Sequence, residues 1–452
     1  MNRFTIPVSL LVPAGVSLLV LGGLGCSWDR FEQLRTDAPV ETLYPPSDRS
    51  STFGTSVVAA RFEDTAMVLV SGPPHSGPGT VFSVGIEERP TTDPFDKDVC
   101  VTSPAAKACS VAERPAALAR ARSPNSGAHE LCFVAGVGYS RGDSGLWTRC
   151  ADRTEFVYPM PDGLAKPFID SLAAGGRPPA LQLVADRSAS PILLAGAPEQ
   201  GRAWFYDALA TEPIELAASG TPGAEFGRSL AVLRGDDSSI LVVGSGGAAE
   251  VWFFRVTATG VESLGCLSGA AEFGRALAAG DVDGDGLEDL AVSDATRVDV
   301  FLGSALTALQ AQGDAVCSPE LVAAAATMTC KTNKETSDCS SSRFGMALAI
   351  ADLQGDGKSE VVVGAPRMTV RGVEAAGAVL VYDAGGQLVD TRIVSSPLVD
   401  ARFGSSLAAV SQGKSGDTDA RDVLAVGAPG DQQTSLVYCA TVAGSGVSSR
   451  CE

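Results

Sequence analysis

Residues 273–293 read FGRALAAGDVDGDGLEDLAVS. Phe273-Gly274 opens the stretch. Ala276 to Ala279 and Leu290 to Ser293 are short runs of small and apolar residues, the pattern of short strands. Between them lies Asp281-Val282-Asp283-Gly284-Asp285-Gly286-Leu287-Glu288-Asp289, a loop of alternating carboxylates with glycines where the chain must turn sharply. A helix–loop–helix calcium site would need a Glu at the twelfth loop position, and that position is Val292. The unit is therefore strand–acidic loop–strand.

The same unit returns along the chain. Phe-Gly recurs at Phe53-Gly54, Phe226-Gly227, Phe273-Gly274, Phe344-Gly345 and Phe403-Gly404. The last four starts lie 47, 71 and 59 residues apart, a period that belongs to solenoids and propellers. Each start leads through a polar loop into a Val/Leu-rich run ending in Gly-Ala-Pro, at 196–198, 364–366 and 427–429, or in a variant of it. Two degraded units fit between Phe53 and Phe226, one around Leu131 to Gly136 and one around Ile192 to Pro198 followed by Ala203 to Tyr206. The total is seven. In the sixth unit, Phe344 to Ala351, Glu360 to Val363, Ala378 to Tyr382 and Gln387 to Val394 read as four strands. One such sheet cannot bury its own faces. Stacking the sheets around an axis buries them and leaves only short edges. The fold expected is all-β, a disulfide-containing seven-bladed β-propeller over residues 52–452, with blade boundaries open between Pro90 and Pro179.

The Phe-Gly starts, the Gly-Ala-Pro ends and the acidic loop between them resemble the FG-GAP repeat of integrin α-subunit headpieces, and of bacterial proteins that carry the same repeat. The resemblance spans essentially the whole chain after its first fifty residues. It implies a calcium site in the strand–loop–strand hairpin.

Hard cations such as Ca²⁺ take six to eight oxygen ligands. In the fifth unit the ligands expected are Asp281, Asp283, Asp285, the carbonyl of Leu287, and Asp289. In the sixth they are Asp352, Gln354, Asp356, the carbonyl of Lys358, and Glu360. Gln354 gives up one charge and Lys358 adds an opposing one, so this site is expected to be the weaker. The first-ligand position, eight residues after each Phe, holds Arg61 in the first unit, Arg234 in the fourth and Ser411 in the seventh. Arginine cannot ligate a cation, so the first and fourth loops are expected to be metal-free. The seventh has Asp417, Asp419 and Asp422 in a longer span, a poor candidate.

The amino-terminal segment points to export. Arg3 precedes an apolar run from Ile6 to Leu24 that is broken by prolines and glycines, as in a cleaved signal. Its end, Leu21-Gly22-Gly23-Leu24-Gly25-Cys26, resembles a lipoprotein cleavage box, although Gly23 stands where a leucine is usual. Residues 1–25 are then a signal peptide, Cys26 carries lipid, and 26–51 is a tether. Ser27 rather than Asp follows Cys26, which under enteric-type sorting favours the outer membrane; without lipidation the chain would be secreted. The other ten cysteines suit an oxidising compartment. Nearest-neighbour pairing gives Cys100 with Cys109, Cys132 with Cys150, Cys330 with Cys339 and Cys439 with Cys451, leaving Cys266 with Cys317. Other pairings stay open.

The 452 residues carry a formal charge of −19, which repels phosphate backbones and argues against nucleic-acid binding. With two histidines, His75 and His129, neither a multi-His zinc site nor His-based catalysis is expected. No Gly-x-Ser-x-Gly or phosphate loop occurs. Two Arg-Gly-Asp triplets, at 141–143 and 234–236, are expected by chance in a chain so rich in Gly and Asp. Trp147, Trp204 and Trp252 read as core rather than sugar-stacking platforms. The function expected is a calcium-binding, lipid-anchored, monomeric scaffold at the cell envelope. It would bind an unidentified protein or glycan and would not be an enzyme. The alternative is an extracellular hydrolase or lyase with its site in the propeller channel.

Overall fold

The computed structural model describes residues 225–437 apart from 236–237, 259, 312–316, 412–421 and 432. Before them it describes 40–43, 54, 57–62, 65–72, 80–85, 115–122, 129–140, 143–150, 155–159, 180–185, 191–198, 200–207 and 213–216. Among these residues the helical elements are α1 (Gly303–Thr307) and a 3-10 turn at Pro429–Asp431. The strands form six four-stranded sheets, one three-stranded sheet and a two-stranded ribbon of Thr336–Ser337 with Thr369–Val370.

The fifth sheet runs Leu277–Gly280, Asp289–Ser293, Arg297–Phe301 and Ala326–Thr329. The sixth runs Ala347–Ala351, Glu360–Ala365, Ala378–Tyr382 and Leu388–Arg392. Both are antiparallel. The first strands of the larger sheets are Val57–Phe62, Pro115–Arg122, Ala180–Ala185, Phe226–Leu233, Leu277–Gly280, Ala347–Ala351 and Ser406–Ser411. Each lies against the next, and the last lies against the first. The sheets therefore close into a ring, a β-propeller with these strands innermost.

Closure uses both ends of the chain. Val40–Leu43 pairs antiparallel with Gln433–Val437, Val40 opposite Val437, as the outermost strand of the sheet that holds Ser406–Ser411 and Asp422–Ala428. This corrects the sequence reading, which placed 40–43 in the tether. Four residues carry too little periodicity to show a strand, and their partner lies almost four hundred positions away. The ladder ties the ring shut with backbone hydrogen bonds, which separate only if the sheet opens.

The Phe-Gly and Gly-Ala-Pro signatures have a common geometric cause. The residue before each Phe is left-handed: Glu225 (φ 69°), Glu272 (φ 64°), Arg343 (φ 57°) and Arg402 (φ 58°). The following glycine is left-handed too, at 88°, 82°, 75° and 89° for Gly227, Gly274, Gly345 and Gly404. A turn results, closed in the fifth unit by the Arg275 N–H donating to the Glu272 carbonyl at 3.0 Å. The inner strand of the sixth sheet therefore begins after the pair, at Ala347, and not at Phe344 as expected, and that of the fifth begins at Leu277, one residue past the expected Ala276. The turn aims the glycine carbonyl at the preceding sheet. A Cβ built on Gly364 would lie 2.2 Å from the Gly404 oxygen, and one on Gly427 would lie 2.0 Å from the Gly54 oxygen. The first glycine of Gly-Ala-Pro is thus the seat for the next repeat's Phe-Gly turn. The Gly427–Gly54 contact joins the last repeat to the first.

The phenylalanines fill the seams between sheets. Phe226, Phe273, Phe344 and Phe403 are 0–3% exposed and sit in four separate apolar clusters, each drawn from two neighbouring sheets. Phe226 meets Trp252, Phe273 meets Phe301 and Phe344 meets Tyr382 edge-to-face, with centroids 6.1–6.4 Å apart. Burying each ring contributes about 2 kcal/mol.

Two disulfides are described, Cys266–Cys317 and Cys330–Cys339. The first joins the outer strand of the fourth sheet, Gly260–Ser268, to the connection that follows α1 in the fifth unit. Cys132 and Cys150 stand opposite each other in the ladder of the second sheet. Cys26, Cys100, Cys109, Cys439 and Cys451 lie outside the described residues, as do the signal segment and the rest of the tether.

Candidate metal centre

The acidic loop of the fifth unit joins the first and second strands of its sheet. Val282, 1% exposed, anchors it in the apolar seam against the sixth sheet. This is why the residue between the first two carboxylates is apolar. Gly284 (φ 82°) and Gly286 (φ 87°) are both left-handed and fold the chain back on itself. Their N–H groups donate to the two oxygens of Asp281, at 2.7 and 2.9 Å. Asp283 accepts from the Asp285 N–H at 3.1 Å, and Asp285 from the Leu287 N–H at 2.8 Å. One oxygen of each of Asp281, Asp283 and Asp285 lies within 4.8 Å of the others. Asp281 and Asp283 are half-buried and Asp285 is exposed. Three carboxylates so placed repel one another, and an oxygen-only donor set of this kind fits a hard divalent cation.

Asp289 has a second task that the sequence did not reveal. It is fully buried, and its two oxygens accept the Val282 and Gly303 N–H groups, each at 2.7 Å. It braces the loop against the second strand and the start of α1. Burial pushes its carboxyl above the ordinary value, the Gly303 and Val282 N–H groups pull it back, and the charges of Asp283 and Asp285 add to the rise.

The sixth loop repeats this frame with weaker chemistry. Leu353 takes the place of Val282, 2% exposed in the next seam. Asp352 accepts from Gly355 at 2.6 Å and from Gly357 at 2.9 Å, and Asp356 accepts from Lys358 at 3.0 Å. Glu360, in the position of Asp289, accepts from the Leu353 N–H at 3.0 Å and from the Gln354 side-chain amide. Its carboxyl is pushed up to about 7 by burial, against the pull of those two hydrogen bonds. The three carboxylates Asp352, Asp356 and Glu360 do not converge as the triad of the fifth loop does. At the positions of the fifth-loop triad the sixth loop has Asp352, Gln354 and Asp356, two carboxylates and an amide that is bonded to Glu360.

Neighbouring loops are linked in a chain. The Arg234 backbone N–H and Nε donate to Glu288, each at 2.7 Å, and a second guanidinium nitrogen also reaches it. The Ser359 N–H donates to the Asp281 carbonyl at 3.0 Å. The Asp422 N–H donates to the Asp352 carbonyl, and the Asp352 N–H to the Asp422 carboxylate, both at 2.8 Å. In the first two cases the first-ligand position of one loop meets the residue seven places along in the next; in the longer seventh loop it meets Asp422, eleven places after Ser411. Asp422 is thus occupied with its neighbour, burial pushing its carboxyl up to about 6, while Asp417 and Asp419 lie outside the described residues. Arg234 is committed to Glu288, so the second Arg-Gly-Asp triplet does not offer a free arginine. Trp204 and Trp252 are 1% and 3% exposed and serve as core. Glu250, Cys266 and Cys317 also cluster, but both sulfurs are used by the disulfide.

The ring of antiparallel sheets and the Phe-Gly turns seated on glycines define the chain as a β-propeller. The FG-GAP repeat family model matches residues 273–301 and 344–382, the fifth and sixth units, so the chain carries FG-GAP repeats. Integrin alpha-7 of Mus musculus is 44% identical over 96 residues, covering 20% of this chain and 8% of the relative. The Rattus norvegicus protein of that name is 43% identical over the same length. The chain thus matches less than a tenth of the length of these relatives. Among solved structures, the Cps50 (Swd1) beta-propeller domain of Myceliophteria thermophila aligns over 88% of this chain and 99% of its own, at 10% identity and a TM-score of 0.46. No helix among the described residues is long and apolar enough to cross a membrane.

Proposed function

We propose that the chain is a calcium-binding, lipid-anchored, seven-bladed propeller of the cell envelope that serves as a binding scaffold for a protein or glycan. The observation that carries the calcium reading is the convergence of the Asp281, Asp283 and Asp285 carboxylates. The ion would be held by these three side chains with the Leu287 carbonyl and Asp289. Its chemistry there is charge neutralisation, which stiffens the hairpin. The ion is assigned a role in supporting the fold rather than in a reaction. The sixth loop, with Asp352, Gln354, Asp356, the Lys358 carbonyl and Glu360, is proposed as a weaker second site.

Export, the lipid on Cys26 and the envelope location rest on the amino-terminal sequence; the described disulfides fit an oxidising compartment. The test is calorimetric titration of the mature chain with calcium, beside thermal melts with and without chelator. Binding together with a raised melting temperature supports the reading. Identical melts and no heat of binding overturn it.

A further inference from the structure

The chain of contacts between loops places one basic residue where it bears on the fifth loop from outside. Lys358 belongs to the sixth loop. Its stem crosses the fifth loop at Gly284, between Asp283 and Asp285. A Cβ built on Gly284 would lie 3.2 Å from the Lys358 Cγ and 3.6 Å from its Cε. The next residue fixes this approach, because the Ser359 N–H donates to the Asp281 carbonyl at 3.0 Å. Lys358 is exposed. The backbone of the neighbouring unit therefore holds the Lys358 stem against the loop that carries the three converging carboxylates.

We propose that Lys358 is a tethered cation that tunes the fifth loop: it relieves the repulsion among Asp281, Asp283 and Asp285 when no metal is bound and weakens their affinity for calcium. The inference rests on the calcium reading given above. A divalent ion at the carboxylates and the ammonium carry like charges, which still repel over several ångströms in water at low salt. Gly284 is part of the arrangement, since a side chain there would push the lysine away. The fifth loop therefore reports on the seating of the sixth unit against it. From the seventh unit, Asp422 makes to the Asp352 carbonyl the contact that Ser359 makes to the Asp281 carbonyl.

The test is calcium titration of the full mature chain in an Asp356→Asn background, which disables the sixth loop so that one site is read. At low salt Lys358→Gln should bind calcium about threefold more tightly, and Lys358→Glu about tenfold. Both differences should shrink toward unity in 0.5 M salt, on the order of a 4 Å screening length. Lys334→Gln, which removes an exposed lysine from a distant loop, should leave the affinity unchanged. Equal dissociation constants for the parent, Lys358→Gln and Lys358→Glu would overturn the inference and leave the calcium site standing. A change of equal size in Lys334→Gln would reduce the effect to net charge and overturn it as well. No calcium binding by any of the proteins would remove the site itself.

Discussion

The fifth and sixth units are two executions of one design. Their acidic loops share an apolar anchor, two left-handed glycines and a first aspartate that gathers the glycine N–H groups. Among the side chains expected as ligands they differ at two positions. The fifth spends its third loop position on Asp283 and closes with Asp289, which backbone N–H groups saturate. The sixth spends them on Gln354 and Glu360, which bond to each other. The frame is thus set by backbone geometry, and the charge that would hold an ion is a separate layer that can be lost while the hairpin survives. The fourth unit takes the next step: Arg234 replaces the first carboxylate and ties the loop to Glu288 directly.

The units are also stapled differently, and this gives the largest expected effect. Cys266–Cys317 spans 51 residues and joins the fourth unit to the fifth, whereas Cys330–Cys339 spans 9 residues within one connection. Replacing the first pair by serines should lower stability by about 4 kcal/mol, and the second by about 3 kcal/mol, on the loop-entropy model. Denaturant melts of the two double variants check the order. A reversed order would show that the connection after α1 is held by packing rather than by its disulfide.

A second contrast lies where the next repeat seats. The sixth unit has Gly364 under the Gly404 carbonyl, and the fifth has Ser293 at the equivalent place, facing Gly345. Gly364→Ser should cost about 2 kcal/mol or more, because the new Cβ meets backbone that cannot step aside. Ser293→Ala should cost less: it keeps the Cβ and loses the hydroxyl's two bonds to Ala276, accepted from its N–H at 3.0 Å and donated to its carbonyl at 3.4 Å. Equal losses in thermal melts would sink this account of the seam.

The loops can be compared by removing one charge from each. Asp283→Asn should weaken calcium binding at the tighter site at least tenfold, about 1.4 kcal/mol, while Asp356→Asn should leave that site nearly unchanged. Gln354→Asp should act in the opposite sense. It should strengthen the weaker site in calcium and lower stability in chelator, because it sets another carboxylate beside buried Glu360. Two-site calorimetry distinguishes these outcomes.

The smallest effect is expected at the fourth loop. Arg234→Ala should cost about 1 kcal/mol or less, since the pair with Glu288 is partly exposed and shared with solvent. A much larger loss would mean that the guanidinium does there what a metal does in the fifth loop.

Much of this was legible in the sequence because it is written locally. The Phe-Gly and Gly-Ala-Pro signatures, the acidic hairpin and the valine-rich strands each reflect a constraint on a few consecutive residues: a left-handed turn, a close approach or an alternation of faces. The nearest-neighbour pairing of Cys330 with Cys339, and the leftover pair Cys266–Cys317, are both formed. Less legible were the exact strand starts, because a left-handed residue before each Phe carries no mark of its own: Glu in two repeats and Arg in two.

By itself the sequence determined the repeating unit, its all-β character and the place where carboxylates gather. Only the tertiary structure decided that Val40–Leu43 finishes the last sheet, that Glu288 answers Arg234, that Asp289 braces as well as gathers, and that Lys358 lies across Gly284. The physical reason is separation along the chain. A turn is specified by its own dihedral angles, but a contact between repeats exists only once the ring has closed, and it joins residues whose spacing leaves no periodic trace.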